Sequence, residues 1–294
     1  MPRILDGKDV SSSLSLRLKN RLEAQRAAHP RARPPKLAIL QVGANPASKA
    51  YISRKLKVAS EIGILTEHLQ LASDVSESEI EAQIERLNED PSVHGLIVQL
   101  PLDQKTKSSE SWLNSLLEKI HPLKDADGLA TSNLGKIFAG ESTATRWTAP
   151  IPATALGVMR LLEHYGISPR SKTCVVIGKS RLVGNPTAQL MLQAGATVSI
   201  VHSQSPDWSS LTRQADIIVV AAGVKHLLKP EHVSSSSIII DVGIHRSETG
   251  LTGDADPAAC AKSAAYSPVP GGVGQMTVAC LMENLLELWA RHEL

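Results

Sequence analysis

Aromatic residues are scarce in this chain: four Trp, three Tyr and one Phe make up 3% of its 294 residues. Proteins that hold single-stranded nucleic acid stack successive bases on several rings, so this scarcity argues against that class. An excess of one charge is equally lacking, with 31 Lys and Arg against 29 Asp and Glu, a formal net charge of +2. A chain so balanced is not built to grip a polyanion or an acidic membrane surface, and neither nucleic acid nor membrane is an expected partner. Cysteine is rare as well. Cys174, Cys260 and Cys280 are odd in number and far apart, which excludes a disulfide framework and a CxxC pair. The ten histidines form no HExxH or other paired spacing, so no metal site is expected. Apolar runs such as 237–241 (Ser-Ile-Ile-Ile-Asp) are strand-length, far short of the about 20 residues that span a bilayer. Folded-looking sequence begins at Ile4-Leu-Asp-Gly-Lys8, leaving no room for a signal or transit peptide. The expected location is cytoplasmic.

What is abundant is aliphatic. Hydrophobic residues, chiefly Ala, Leu, Val and Ile, are 42% of the chain, which suits an α/β enzyme better than an all-β binding module. The length predicts roughly two domains of about 150 residues, each able to bury a core. A helix over 9–28 is followed by a Pro/Arg connector at 29–35, read as a solvated loop. Then come a buried strand 36–43, a helix 47–62, a strand 66–71, an amphipathic helix 76–90, a strand 94–100 and a helix near 109–120. These βα units have the spacing of a parallel sheet with helical crossovers. The polar, Pro-containing stretch 141–152 is the expected domain boundary. A second α/β series follows: helix 153–165, strand 173–178, helix 184–195, and strands 196–202, 216–221 and 237–242. The last helix, about 276–292, follows a Gly-rich turn and could pack on either domain.

The run Thr173-Cys-Val-Val-Ile-Gly-Lys-Ser-Arg-Leu-Val-Gly-Asn-Pro186 passes from a hydrophobic strand through a glycine turn into a helix. A dinucleotide site needs that context, because the turn lets backbone approach a pyrophosphate and the helix start offers N–H groups and a positive dipole end. Gly178 and Gly184 are six apart, so the pattern is not GxGxxG, and spacing alone also fits an ordinary βα turn. An NAD site places an acid at the end of the next strand to hold the ribose 2′-hydroxyl. Here that strand ends in His202 and Ser203, and Lys179 sits in the glycine turn. A cation and a hydroxyl in place of an acid favour a 2′-phosphate, hence NADP.

Taken in order, several motifs resemble one family nearly end to end. They are Ile4-Leu-Asp-Gly-Lys8, Tyr51-Ile-Ser-Arg-Lys55, Val98-Gln-Leu-Pro-Leu102 and Lys124-Asp-Ala-Asp-Gly128. Gly178-Lys-Ser180, Val183-Gly-Asn-Pro186, His202-Ser203 and Pro268-Val-Pro-Gly-Gly-Val-Gly274 with Met276-Thr277 complete the set. On these residues the chain resembles the bifunctional methylenetetrahydrofolate dehydrogenase/methenyltetrahydrofolate cyclohydrolase family. The resemblance implies an α/β fold of two domains with a cleft between them that holds folate. The first is an N-terminal catalytic domain over 1–147, with a C-terminal helix at about 276–294 packing back on it. The second is a Rossmann-type parallel-sheet NADP domain over 148–275. It also implies a homodimer joined through the cofactor domain, and two reactions: hydride transfer from 5,10-methylenetetrahydrofolate to NADP, then hydrolysis of the methenyl product to 10-formyltetrahydrofolate. A monofunctional dehydrogenase on the same scaffold, or a non-catalytic NADP- or folate-binding descendant, is the alternative.

The resemblance also assigns roles. Tyr51 and Lys55 are i,i+4 on one helix face; Lys55 corresponds to the general acid/base at the one-carbon unit, and Tyr51 to a ring stacking on aminobenzoate. A lysine relays a proton near neutrality only if its pKa is lowered. Gln99, at a strand's C-terminal end, would bond and tune Lys55. Asp127 matches the acid that holds the pterin, using its two acceptor oxygens, whereas Asp125 reads as a turn or salt-bridge residue. Gly271 and Gly272 would approach the substrate closely. Gly178, Lys179, Ser180, Val183, Gly184, His202, Ser203 and Thr154 form the expected cofactor set.

Four departures stand out. Lys179 replaces a common Arg, losing two-pronged phosphate geometry. Pro152-Ala-Thr-Ala-Leu-Gly157 lacks the usual Cys and second Pro, Gln275 replaces a Pro, and Ala126 and Ala255 stand where Val is usual.

Overall fold

Aliphatic, β-branched runs alternate with helical stretches along the chain, and the computed structural model, which describes residues 1–103, 109–247 and 250–294, follows that alternation. The order through the first half is β1 (Arg3–Ile4), α1 (Gly7–Ala28), β2 (Lys36–Val42), α2 (Pro46–Ile62), β3 (Leu65–Leu71), α3 (Glu77–Glu89), β4 (Gly95–Val98), α4 (Glu110–Glu118) and α5 (Thr131–Phe138). The second half runs α6 (Ala153–His164), β5 (Thr173–Ile177), α7 (Gly184–Gln193), β6 (Thr197–Val201), α8 (Trp208–Gln214), β7 (Ile217–Val220), β8 (Ile238–Asp241), β9 (His245–Ser247), β10 (Gly250–Thr252), α9 (Pro257–Lys262), β11 (Ala265–Tyr266) and α10 (Val273–Glu293). No helix among the described residues is long and apolar enough to cross a membrane.

The chain forms two compact units. The first comprises residues 13–136, 147–151 and 281–294; the second comprises 1–12, 137–146 and 152–280. This division departs from boundaries at 147 and 275 in four places, at 1–12, 137–146, 148–151 and 276–280, the first three with a local cause. The N-terminal residues join the second unit because β1 pairs in parallel with β11. Residues 137–146 join it because Gln193 and Gln189 donate to the carbonyls of Ile137 and Phe138. Ile151 stays in the first unit because its N–H and carbonyl both bond the Asn284 side chain. The last helix is divided between Cys280 and Leu281.

In the first unit, β2 is the centre of a parallel three-stranded sheet ordered β3-β2-β4. All but the first residue of β2 is buried, as expected of a strand covered on both faces. Ile80, Ile84 and Leu87 of α3 pack with Leu40, Leu96 and Val98 in one core cluster. The start of α3 is fixed by a capping box: Ser76 Oγ accepts from the Glu79 amide, and Glu79 accepts from the Ser76 amide. Burying a side chain of this size stabilises by about 1.5–3 kcal/mol, so such a cluster holds the strand ends that carry the polar residues described next.

The second unit is built on a six-stranded, wholly parallel sheet ordered β1-β11-β8-β7-β5-β6. The chain passes from β5 outward to β6 and then returns to β7 on the other side of β5. That reversal opens a crevice at the C-terminal ends of β5 and β7, where open α/β sheets bind ligands.

Candidate active site

Lys55 lies in α2 and is 7% exposed; Gln99 follows β4 and is 8% exposed. The Lys55 Nζ donates to Gln99 Oε1 at 3.0 Å, and the Gln99 amide nitrogen donates to the Leu100 carbonyl at 2.6 Å. The second bond fixes which end of the amide faces the lysine. Burial lowers the Lys55 pKa from its ordinary value, partly offset by the charge of Asp127. Burial likewise raises the Asp127 carboxyl, offset by Lys55. Both directions move the pair toward its neutral forms.

Asp127 reaches this position through the segment 124–128. Leu96 of β4 forms a parallel bridge with Asp125, donating its amide to the Lys124 carbonyl at 2.6 Å. The Lys124 ammonium is buried and donates to the carbonyls of Leu87, Asn88 and Asp90, capping α3. Asp125 is a turn anchor, as expected: its carboxylate accepts from the Ala130 amide at 2.7 Å and the Asn133 side chain at 3.0 Å. From α10, Asn284 donates to the Ala126 carbonyl at 2.9 Å, one residue before Asp127. Tyr51 sits one turn before Lys55 and is 38% exposed, leaving its ring accessible.

Ser48 belongs to none of the motifs above. It is buried on α2, seven residues before Lys55, and its hydroxyl has no hydrogen-bond partner. Two helical turns place it on the face that carries Lys55. A buried hydroxyl left unbonded is costly in a finished core, and here it supplies an uncommitted donor and acceptor. The signal available in sequence was a small polar residue at i−7 from a functional lysine.

In the second unit, Gly178, Lys179, Ser180, His202 and Ser203 line one cavity of about 330 Å³ at the β5/β7 switch point. Gly178 has φ +118, and a Cβ there would collide with the Ala221 carbonyl at the end of β7. Only glycine fits a strand end so close to its neighbour. A Cβ on Gly184 would collide with the Gly178 carbonyl, so the turn closes on itself. Ser180 Oγ accepts from the amides of Val183 and Gly184, tying the turn to the start of α7. Val183 and Gly184 thus shape the turn, while the other five are among the residues that line the cavity. Lys179 and Ser203 are exposed in it, and no carboxylate is among the lining residues. A cation, a hydroxyl and a glycine turn without an opposing acid fit a phosphorylated nucleotide. Thr154 is not among the lining residues; its hydroxyl lies 3.3 Å from that of Thr277.

The far wall of that cavity is held by a carboxylate. Asp254 is fully buried, and its Oδ2 accepts from the amides of Ala222 and Gly223 at 2.7 and 2.8 Å. Its Oδ1 meets His245 Nε2 at 2.7 Å. Asp241, at the end of β8, accepts the amides of Gly243, Asp254 and Ala255; burial pushes its carboxyl up to about 7. Gly271 and Gly272 also lie in this unit. Gly7 donates its amide to the Gly271 carbonyl at 2.7 Å, and a Cβ on Gly272 would press on the Pro268 carbonyl.

The first unit brings together one potential metal cluster among the described residues, His94, His292 and Glu293, with ligand atoms within 4.8 Å. Its hydrogen bonds give it another role. His94 Nδ1 accepts from the Lys36 amide at 3.2 Å, so its proton sits on Nε2 and is directed at Glu293 Oε1, 3.2 Å away. Glu293 also accepts from the amide and the guanidinium of Arg33, each at 2.8 Å. The nitrogen and oxygens a cation would need are committed to holding the end of α10.

A parallel sheet with a cationic cavity at its switch point, on a chain whose other unit carries a buried lysine electrostatically coupled to a half-buried carboxylate, defines the class of nucleotide-dependent α/β enzymes. Residues 5–127 match the catalytic-domain model of the tetrahydrofolate dehydrogenase/cyclohydrolase family, and residues 152–293 match its NAD(P)-binding-domain model. The bifunctional protein FolD of Magnetococcus marinus is 40% identical over 289 residues, covering 98% of this chain and 97% of the relative. The crystal structure of the bifunctional FolD dehydrogenase/cyclohydrolase of Campylobacter jejuni superposes with a TM-score of 0.90 at 39% identity, over 99% of each chain. The Trypanosoma brucei enzyme, solved with NADP cofactor and inhibitor, gives 0.89 at 32% identity, over 99% of this chain and 98% of that one. The chain belongs to the tetrahydrofolate dehydrogenase/cyclohydrolase family.

Proposed function

We infer that this chain is an enzyme of both activities. It oxidises 5,10-methylenetetrahydrofolate to 5,10-methenyltetrahydrofolate with NADP, and hydrolyses the methenyl cation to 10-formyltetrahydrofolate. The observation that carries the reading is the buried Lys55–Gln99 bond at 3.0 Å.

The bound nicotinamide would supply the hydride acceptor for the first step. Lys179 and Ser203 would hold the 2′-phosphate, with Ser180 and His202 beside them and the Gly178–Gly184 turn admitting backbone close to the pyrophosphate. Thr154 would lend a hydroxyl, and Gly271 and Gly272 a close backbone approach. In the hydrolytic step water adds to the methenyl carbon, the C–N5 bond breaks, and one proton is released per turnover. A neutral Lys55 accepts the proton from the attacking water and returns one to the departing ring nitrogen. Burial lowers its pKa, the direction this exchange requires. Gln99 aims the amine without adding charge, Asp127 holds the pterin, and Tyr51 stacks on the aminobenzoate ring.

Two further readings rest on this one. The outer strand β6 carries Ile200 at 42% exposure, which supports pairing with a second copy into a homodimer. Three free cysteines support a cytoplasmic enzyme, and a near-neutral charge supports small-molecule partners with no nucleic acid or membrane partner.

The test follows methenyl absorbance with purified protein, 5,10-methylenetetrahydrofolate and NADP. Formation and then enzyme-dependent decay of the signal is expected. Decay at the uncatalysed rate would remove the hydrolase activity, and no formation would remove both.

A further inference from the structure

Trp208 is the sole tryptophan of the second unit; Trp112, Trp147 and Trp289 all belong to the first. It is half-buried at the start of α8 and lines the cavity that holds Lys179 and Ser203. The backbone delivering it is strained. Asp207, immediately before it, adopts φ 39 and ψ 41, a left-handed conformation that non-glycine residues rarely hold. Ser210 donates to the Asp207 carbonyl and Ser209 to its carboxylate, which fixes that bend. A second ring fixes the indole itself. His232 meets Trp208 edge-to-face, with centroids 4.6 Å apart and planes at 67°. The His232 Nδ1 accepts the Lys229 amide at 3.1 Å, so its orientation is set in turn.

Ala221, Ala222, Val224 and Leu227 line the same cavity. An indole braced by another ring and sharing a cavity with small apolar side chains, in a chain with few aromatics, is arranged to take a flat π-system. Trp208 also packs in part against the core cluster of this unit, as do Ala222 and Leu227, so the rest of its ring is what the cavity presents.

We propose that Trp208 is the stacking surface for the adenine of the cofactor, dividing recognition between an indole that reads the base and Lys179 with Ser203 that reads the 2′-phosphate. The assignment rests on the NADP reading above. The base lies against the indole, in the cavity that Ala221 and Ala222 also line. Stacking of this kind tolerates any purine, so discrimination for the phosphorylated ribose falls wholly to the cation and the hydroxyl.

The experiment compares two fragments that differ only in the 2′-phosphate, 5′-AMP and adenosine 2′,5′-bisphosphate, by calorimetry on the full chain. Trp208→Leu keeps the apolar volume and should weaken both fragments by about tenfold, the scale of one base–aromatic stack. Trp208→Phe should recover most of the loss. Lys179→Ala should weaken only the bisphosphate. Quenching of tryptophan emission by either fragment should disappear in Trp208→Phe. If Trp208→Leu binds both fragments within twofold of wild type, the assignment is overturned while the cofactor site stands. If wild-type protein binds neither fragment, both fall together.

Discussion

Lys55 donates its buried hydrogen bond to an amide oxygen, that of Gln99, and not to a carboxylate. The choice of a neutral partner has a chemical consequence. A carboxylate at 3.0 Å would hold the ammonium form, and the lysine could not serve as a base near neutrality. An amide positions the nitrogen while leaving burial free to lower its pKa.

Replacing Gln99 with Glu should therefore raise the Lys55 pKa and move the alkaline-going rise of the hydrolase rate to higher pH. Since the neutral amine is the active form, each unit of upward shift costs about tenfold in rate at a fixed pH below the pKa. Gln99→Met removes an acceptor that favours the charged form, so its profile should move to lower pH. The pH dependence of methenyl hydrolysis, corrected for the uncatalysed rate, checks both. Profiles that coincide with wild type would remove Gln99 from its tuning role.

Asn284 satisfies four hydrogen bonds with one fully buried side chain. It donates to the Ala126 and Ile151 carbonyls and accepts from the Trp147 indole and the Ile151 amide. Asn284→Leu leaves these groups without partners, at about 1–3 kcal/mol for each that stays buried. It should lower the unfolding temperature. Because Ala126 precedes Asp127, it should also raise KM for the folate substrate more than it lowers kcat. An unchanged KM in folded protein would confine Asn284 to a structural role.

How far this was legible in sequence depended on range. Strands β2, β4, β5 and β7 are buried on both faces and read as continuous apolar runs. The two-residue strands β1 and β11 carry no such signal, yet their pairing moves the N-terminus into the second unit. Helices α8 and α9, of 7 and 6 residues, are too short for a clear apolar period. Lys55, Gln99 and Asp127 were found by motif, but only the fold brings them into electrostatic contact. The Asp241–Asp254 staple was invisible, because its partners are backbone amides far along the chain. The histidine spacing showed no cluster, and His94 meets His292 and Glu293 only through the docking of α10.

Cofactor choice should turn on two exposed side chains in the second unit. Ser203→Asp places a carboxylate where the 2′-phosphate would lie and offers an acceptor to an unmodified ribose. The ratio of kcat/KM for NADP over NAD should fall by at least about tenfold, one unit of repulsive discrimination being about 1.4 kcal/mol. Lys179→Arg should move the ratio the other way, since a guanidinium grips phosphate with two prongs. Steady-state kinetics with both cofactors decides, and a ratio unmoved by either change would detach these residues from the phosphate.

Acid stability should depend on Glu293. Burial alone would raise its carboxyl, but bonds from the Arg33 amide, His94, the Arg33 guanidinium and His292 together pull it down to about 2. In the unfolded chain a glutamate titrates near about 4.3. A carboxyl whose pKa is depressed by folding stabilises the fold fully above the unfolded value and loses that contribution as pH falls toward the folded one. The contribution of Glu293 should thus be complete at neutral pH and drain away between about 4.3 and 2. Glu293→Gln keeps the shape but not the charge, so it should be less stable than wild type at pH 7. The difference should close as acid protonates the native carboxylate. Denaturant midpoints at pH 7, 4 and 2.5 test this convergence, and a constant gap across that range would mean that packing of the last turn of α10, and not the Arg33–Glu293 charge pair, anchors the helix.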